Sequence, residues 1–170
     1  MQRRMDGSES FNRNWTEYKN GFGNPSADFW IGNDNLYQMT STSRYKLVVV
    51  MENYNETLVC AAYDSFRIGS PDNNYTLYVA NYSGNAGDSL ILTHNGMPFS
   101  TFDNNHDNFN CAVFYRGGWW FHACFSCFLN GLYSYNATRR TYENWWGTFS
   151  KTFALKFIEM RVELLEENNF

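Results

Sequence analysis

From about Gly96 to Gly147 the chain loses nearly all periodicity, helical or strand-like, yet stays rich in Asn, Gly and aromatic residues. Ordered loops of that length are uncommon in a compact domain and are usually functional. A chain of this kind must hold a long irregular region still without ladders or helices. Residues 111–127, CAVFYRGGWWFHACFSC, supply bulky rings, a Gly-Gly pair and three cysteines for that purpose. The whole chain has four, Cys60, Cys111, Cys124 and Cys127, which allow three full pairings that sequence alone does not choose between. Cys124-Phe-Ser-Cys127 has C-x-x-C spacing but no second Cys or His pair at zinc spacing, so zinc is not expected.

The 170 residues fit one domain with a sizeable core. With 44% hydrophobic and 19% aromatic residues, the chain is globular rather than disordered. A net charge of -4 argues against general attraction to nucleic acid or anionic membranes. The longest apolar run, KLVVVME, reads as a strand and is far too short for membrane insertion. The start, MQRRMDGSES, lacks the apolar core of a signal peptide, so a leader was removed or the chain is a fragment. Five N-x-[ST] sequons, at Asn14, Asn55, Asn74, Asn81 and Asn136, point to an extracellular, secreted glycoprotein in which disulfides persist.

SFNRNWTEYKNGFG predicts a short helix, capped at Ser8 or Ser10 and ended by Gly21 and Gly23. DFWIGNDNLYQMTS predicts a second. YKLVVVMEN, ETLVCAAYDSFRIG and YTLYVANYSG are rich in Val, Tyr and Thr and predict antiparallel strands; FALKFIEMRVEL predicts a closing strand. The class is α+β in one domain, residues 1–170. It comprises a sheet-and-helix body over 1–95, a loop-rich binding region over 96–150, a closing strand over 151–163 and a polar tail over 164–170.

The segments QRRMDGSESFNRNWTEYKNGFG, FWIGNDNLY, YDSFRIG, GNAGDSL, HNGMPFSTFD, NCAVFYRGGWW and LNGLY, in that order and on to FIEMRV, together resemble the fibrinogen C-terminal (fibrinogen-related) domain. The flavour is that of its ficolin and tachylectin-like branch. About fifty residues usually precede QRR in that family, including a small disulfide-bonded subdomain and a strand that joins the sheet. Their absence predicts an exposed sheet edge.

The resemblance implies a Cys111–Cys124 disulfide, with Trp119 and Trp120 in an aromatic core beneath a surface site and a cis bond at Ala123–Cys124. It implies a calcium loop in DNNHDNFNC, with Asn105 and Asp107 as the main side-chain ligands, a Phe109 carbonyl, and Asp103 assisting. Asn105 stands where an Asp is expected, which lowers the charge and weakens the site. The plainer reading of the loop is an Asn-rich turn without an ion. An acetyl-group pocket maps to Tyr115, Ala123, Cys124, Phe125 and Tyr142. There Phe125 replaces a His that would hydrogen-bond the ligand.

Cys60 falls in a strand and Cys127 on a loop; both are expected unpaired, unless Cys127 forms an inter-chain bond. His94 is expected in a structural turn, His106 in solvent, and His122 in a local hydrogen bond. No His stands with a nucleophile and carboxylate in a triad context, so the chain is not expected to be an enzyme. The resemblance implies an extracellular lectin-like module that binds acetylated glycans in innate recognition, with calcium. The alternative is a protein- or receptor-binding module of the angiopoietin or tenascin type, or a degenerate member without ligand. Oligomers would form through amino-terminal segments.

Overall fold

The computed structural model describes residues 1–137, 143–151 and 153–165. In chain order the elements are β1 (Gln2–Arg4), α1 (Trp15–Asn20), β2 (Phe22–Gly23), β3 (Phe29–Trp30), α2 (Asn33–Thr42), β4 (Tyr45–Asn53), β5 (Leu58–Ile68) and β6 (Leu77–Gly84). Then follow α3 (Ile91–His94), α4 (Cys111–Tyr115), β7 (Cys127–Phe128), β8 (Trp145–Trp146) and β9 (Leu155–Leu164).

The long strands form where the side chains alternate. In β4, Leu47, Val49 and Met51 are buried, while Lys46, Val48, Val50 and Glu52 are half-buried on the opposite face. β4 pairs antiparallel with β5 on one side, Val49 opposite Ala61, and with β9 on the other, Val49 opposite Met160. Among the described residues the sheet runs β2-β3-β1-β9-β4-β5-β6, so the last strand in sequence is central in space. β1 reaches β9 only over Ile158–Met160. Among the described residues no strand pairs with Arg161–Leu164 on that side.

Two local predictions are corrected. The first helix is capped by Asn14, not by Ser8 or Ser10. Asn14 Oδ1 accepts from Glu17 N, and Glu17 Oε2 accepts from Asn14 N, a reciprocal capping box. Ser8 N instead donates to Asp6 Oδ1, and Ser10 Oγ accepts from Asn12 N, so both serines serve turns. The second segment is not all helix. Its Phe29–Trp30 joins the sheet, and Gly32, at φ 99°, turns the chain before α2 starts.

The core sits between the sheet and the loop region and is largely aromatic. Tyr18, Trp30, Phe99, Trp119 and Trp120 are fully or almost fully buried, with Trp120 5.2 Å from Phe99 and 6.1 Å from Trp30 between ring centroids. Each ring removes a large apolar area from water, and edge-on contacts of this kind add about 0.5–1.5 kcal/mol apiece. Among the described residues, 96–137 are thus anchored more by rings than by ladders.

Candidate functional site

The irregular region is assembled on the Trp pair. Trp119 N donates to Ser100 O and Ser100 N to Trp119 O, a single bridge to the Thr101 turn, and Trp120 Nε1 donates to Tyr75 O at 2.8 Å. Gly117 lets the backbone pass close to Asn130, because a Cβ there would lie 2.4 Å from the Asn130 carbonyl oxygen. After the tryptophans the chain turns through a cis Ala123–Cys124 bond, closed by a His122 N donation to Cys124 O at 2.9 Å. Cys124 is bonded to Cys111 at the start of α4, with the two Cα atoms 5.6 Å apart. The disulfide ties the helix bearing Tyr115 to the strand bearing Phe128.

His94 organises the next step, and sequence reasoning undervalued it. Its Nδ1–H donates to Trp120 O at 2.7 Å, which leaves Nε2 as an acceptor. Nε2 takes the N–H groups of both Ser126, at 3.1 Å, and Cys127, at 3.2 Å. Burial holds the imidazole down at about 4, although the Trp120 carbonyl opposes that shift. One neutral ring therefore pins the segment that carries Phe125. The signal in the sequence was only that a His followed the short ILT run.

The acetyl-pocket positions Tyr115, Cys124 and Phe125 come together, whereas Tyr142 lies outside the described residues. The Phe125 ring packs edge-on against Tyr115 at 4.6 Å and stacks on Phe128 at 5.2 Å. Phe121 and Trp145 lie 6.3 and 6.2 Å away. Phe125 thus sits among four aromatic rings at the position mapped to the acetyl pocket. Phe102, Phe109, Val113 and Phe114 are 45–62% exposed in the segment 102–114, and Phe114 lies 5.0 Å from Tyr115.

The proposed calcium loop folds around Asp107. Asp107 Oδ1 accepts from Phe109 N at 2.7 Å and from Cys111 N at 3.2 Å, and Asn105 Nδ2 donates to the Asp107 carbonyl at 2.6 Å. Asp103 faces elsewhere: its Oδ1 accepts from Trp15 N and from Thr101 Oγ1. A calcium ion takes six to eight oxygens. Here it would find the Asp107 carboxylate, the Asn105 amide oxygen after an amide flip, and backbone carbonyls such as that of Phe109. Among the described residues no cluster of three or more His, Cys, Asp or Glu side chains stands ready to hold a metal ion.

Several single residues differ from expectation. Cys127 is not on a loop; it is buried in β7, paired with Trp146, and burial pushes its thiol well up. An inter-chain bond through it would require β7 to open. Cys60 lies in β5, half-buried and unpaired. His106 is not solvated but lies half-buried, 5.7 Å from the Trp15 ring, because the loop after Asp103 folds against α1. Asn55, Asn81 and Asn136 are exposed, and Asn14 and Asn74 are half-buried.

A family model for the C-terminal globular domain of fibrinogen beta and gamma chains matches residues 1–164. The bovine Fibrinogen-like protein 1 is 37% identical over 95% of this chain, and human Ficolin-3 is 45% identical over 79% of it. These matches cover 58% and 46% of the two relatives, so the chain spans less than two thirds of either. Among solved structures, the fibrinogen-like globe domain of human ANGPTL6 superposes with a TM-score of 0.93 at 37% identity, covering 98% of this chain and 77% of that one. A lamprey fibrin D-dimer complexed with the peptide Gly-His-Arg-Pro-amide superposes at 0.89 and 27% identity, covering 100% of this chain and 63% of that one.

Proposed function

Since this chain belongs to the family of the fibrinogen C-terminal globular domain and has its fibrinogen-like globe fold, we propose that it is an extracellular recognition module that docks a protein partner on the face formed by residues 102–125. The observation that carries this reading is the Phe125 ring. It packs between Tyr115 and Phe128 and offers no hydrogen bond, and Phe114, 57% exposed, lies 5.0 Å from Tyr115. Interfaces of this kind are anchored by aromatic side chains on a rigid scaffold. The Cys111–Cys124 bond and the His94 clamp supply that rigidity. A relative that holds a peptide ligand in its solved structure supports the same choice. The disulfide and the five sequons support the extracellular setting.

The second reading is calcium-assisted binding of acetylated glycans. The cis Ala123–Cys124 bond, the retained Tyr115 and the similarity to Ficolin-3 favour it. In either case calcium binds weakly at Asp107, Asn105 and the Phe109 carbonyl, without Asp103, whose carboxylate is turned to Trp15 N and Thr101 Oγ1.

One experiment separates the two. The chain is applied to an array of receptor ectodomains and to an array of acetylated glycans, each with and without EDTA. Protein binding that Phe109→Asp and Val113→Asp abolish supports the first reading. EDTA-sensitive binding to acetylated glycans, unaffected by those changes, would replace it with the second.

A further inference from the structure

Among the described residues β6 is the outermost strand on its side of the sheet. Its first half is covered. Leu77 N donates to Met97 O, Gly96 N to Leu77 O, and Val79 N to Asn95 Oδ1. Past Val79 no hydrogen bond among the described residues continues that cover. The open part, Ala80-Asn-Tyr-Ser-Gly84, has no charge and no proline, and Ala80, Asn81, Ser83 and Gly84 are exposed. An open edge of this kind is a template for strand addition by another chain, which natural proteins block with a lysine, a proline, a bulge or a cover.

Asn81 stands in the middle of that open part. Its backbone is left-handed, at φ 59°. Tyr63 pairs with Tyr82 and Ser65 with Ala80, but Asp64 and Asn81 form no pair. Asn81-Tyr-Ser83 is also a glycosylation sequon, and both its asparagine and its serine are exposed. Asn74 is the contrast. It is half-buried beside the fully buried Tyr75, and its carbonyl accepts from Phe99 N at 2.9 Å. The hydroxyl of its sequon, on Thr76, is buried and donates to Asn73 O at 2.7 Å. A glycan is bulky and hydrated and needs open solvent, which Asn81 has and Asn74 lacks.

We propose that Asn81 carries an N-linked glycan and that this glycan guards the open edge of β6, keeping a second copy of the chain from adding a strand there. The proposal rests on the extracellular reading and is independent of which partner docks at residues 102–125. The donor class is an oligosaccharide carried on a lipid diphosphate. A bond forms between Asn81 Nδ2 and C1 of the first sugar as the C1–O bond to the diphosphate breaks. The lipid diphosphate leaves with that electron pair, and Nδ2 gives up one proton to solvent.

The test uses the whole chain secreted from animal cells. Its peptides are mapped before and after enzymatic release of glycans, which leaves an aspartate at each occupied asparagine. Asn81 is expected to be occupied and Asn74 bare. Ser83→Ala removes the sequon while Asn81 keeps its place in the strand. In sedimentation velocity this variant should shift to dimers and larger species at concentrations where the native chain stays monomeric. Adding Ala80→Lys, a charge on the same edge, should return it to monomer. A bare Asn81 in secreted chain whose Cys111–Cys124 bond is closed would overturn the inference and leave the extracellular reading standing. A monomeric Ser83→Ala chain would overturn the guarding role. So would association that Phe109→Asp abolishes and Ala80→Lys does not, because the contact would then lie on the docking face.

Discussion

Acidification should loosen the recognition face through one residue, His94. In the fold the neutral imidazole accepts two N–H groups, from Ser126 and Cys127, on Nε2. A proton placed there turns the acceptor into a donor that faces two donors, and both bonds are lost. Burial is the largest cause that holds His94 at about 4, against 6.5 for the unfolded ring. Its folded value is depressed, so the unfolded chain takes the proton first. The stability His94 contributes is complete above pH 6.5, falls as pH drops below 6.5, and is lost by the time pH has passed through about 4. Linkage puts that loss at about 3 kcal/mol in total, with a slope of about 1.4 kcal/mol per pH unit. The assay is chemical denaturation at a series of pH values between 7.5 and 4, on the native chain and on His94→Gln. A glutamine amide can donate to the Trp120 carbonyl and accept with its oxygen, yet does not titrate. Carboxylates titrate alike in both proteins, so the difference between the two curves isolates His94. The native chain should lose its advantage across that window. Parallel curves would show that His94 does not titrate as the geometry requires, and the coupling of Phe125 to pH would go with it.

Three further outcomes are expected. Cys111→Ser should destabilise the domain by about 3 kcal/mol, the value for a closed loop of this size, measured as a lowered denaturation midpoint without reductant; an unchanged midpoint would mean that the aromatic packing alone holds the loop. Asp107→Asn should keep the turn hydrogen bonds but remove the only charge at the calcium loop's centre, so calorimetry should find calcium binding, about 10⁻⁴–10⁻³ M in the native chain, weakened by about tenfold or more; equal binding would place the ion elsewhere. Phe125→His should vacate part of the slot and restore a donor, so binding of N-acetylated glycosides should rise from weak or absent to measurable in a titration with calcium; tighter binding by the native chain would make the phenyl ring the recognition element.

The strands were legible in the sequence because β4, β5, β6 and β9 alternate side chains and are bounded by Asn, Gly or Pro, and a period of two is a local property. The order of the family's segments carried the fold and, with it, the Cys111–Cys124 pairing. Local rules failed at the first cap, which was placed on Ser8 or Ser10, whereas Asn14 and Glu17 form the capping box. The sites depended on contacts between distant residues. Arg4 donates to the Gly131 carbonyl across 127 positions, a contact with no local signature. Cys127 read as a loop thiol because its two-residue strand exists only through pairing with Trp146. That the Phe125 ring sits packed among other rings is decided by how Tyr115, Phe121 and Phe128 gather around it. Sequence specifies the ring; packing density in three dimensions decides whether space is left beside it.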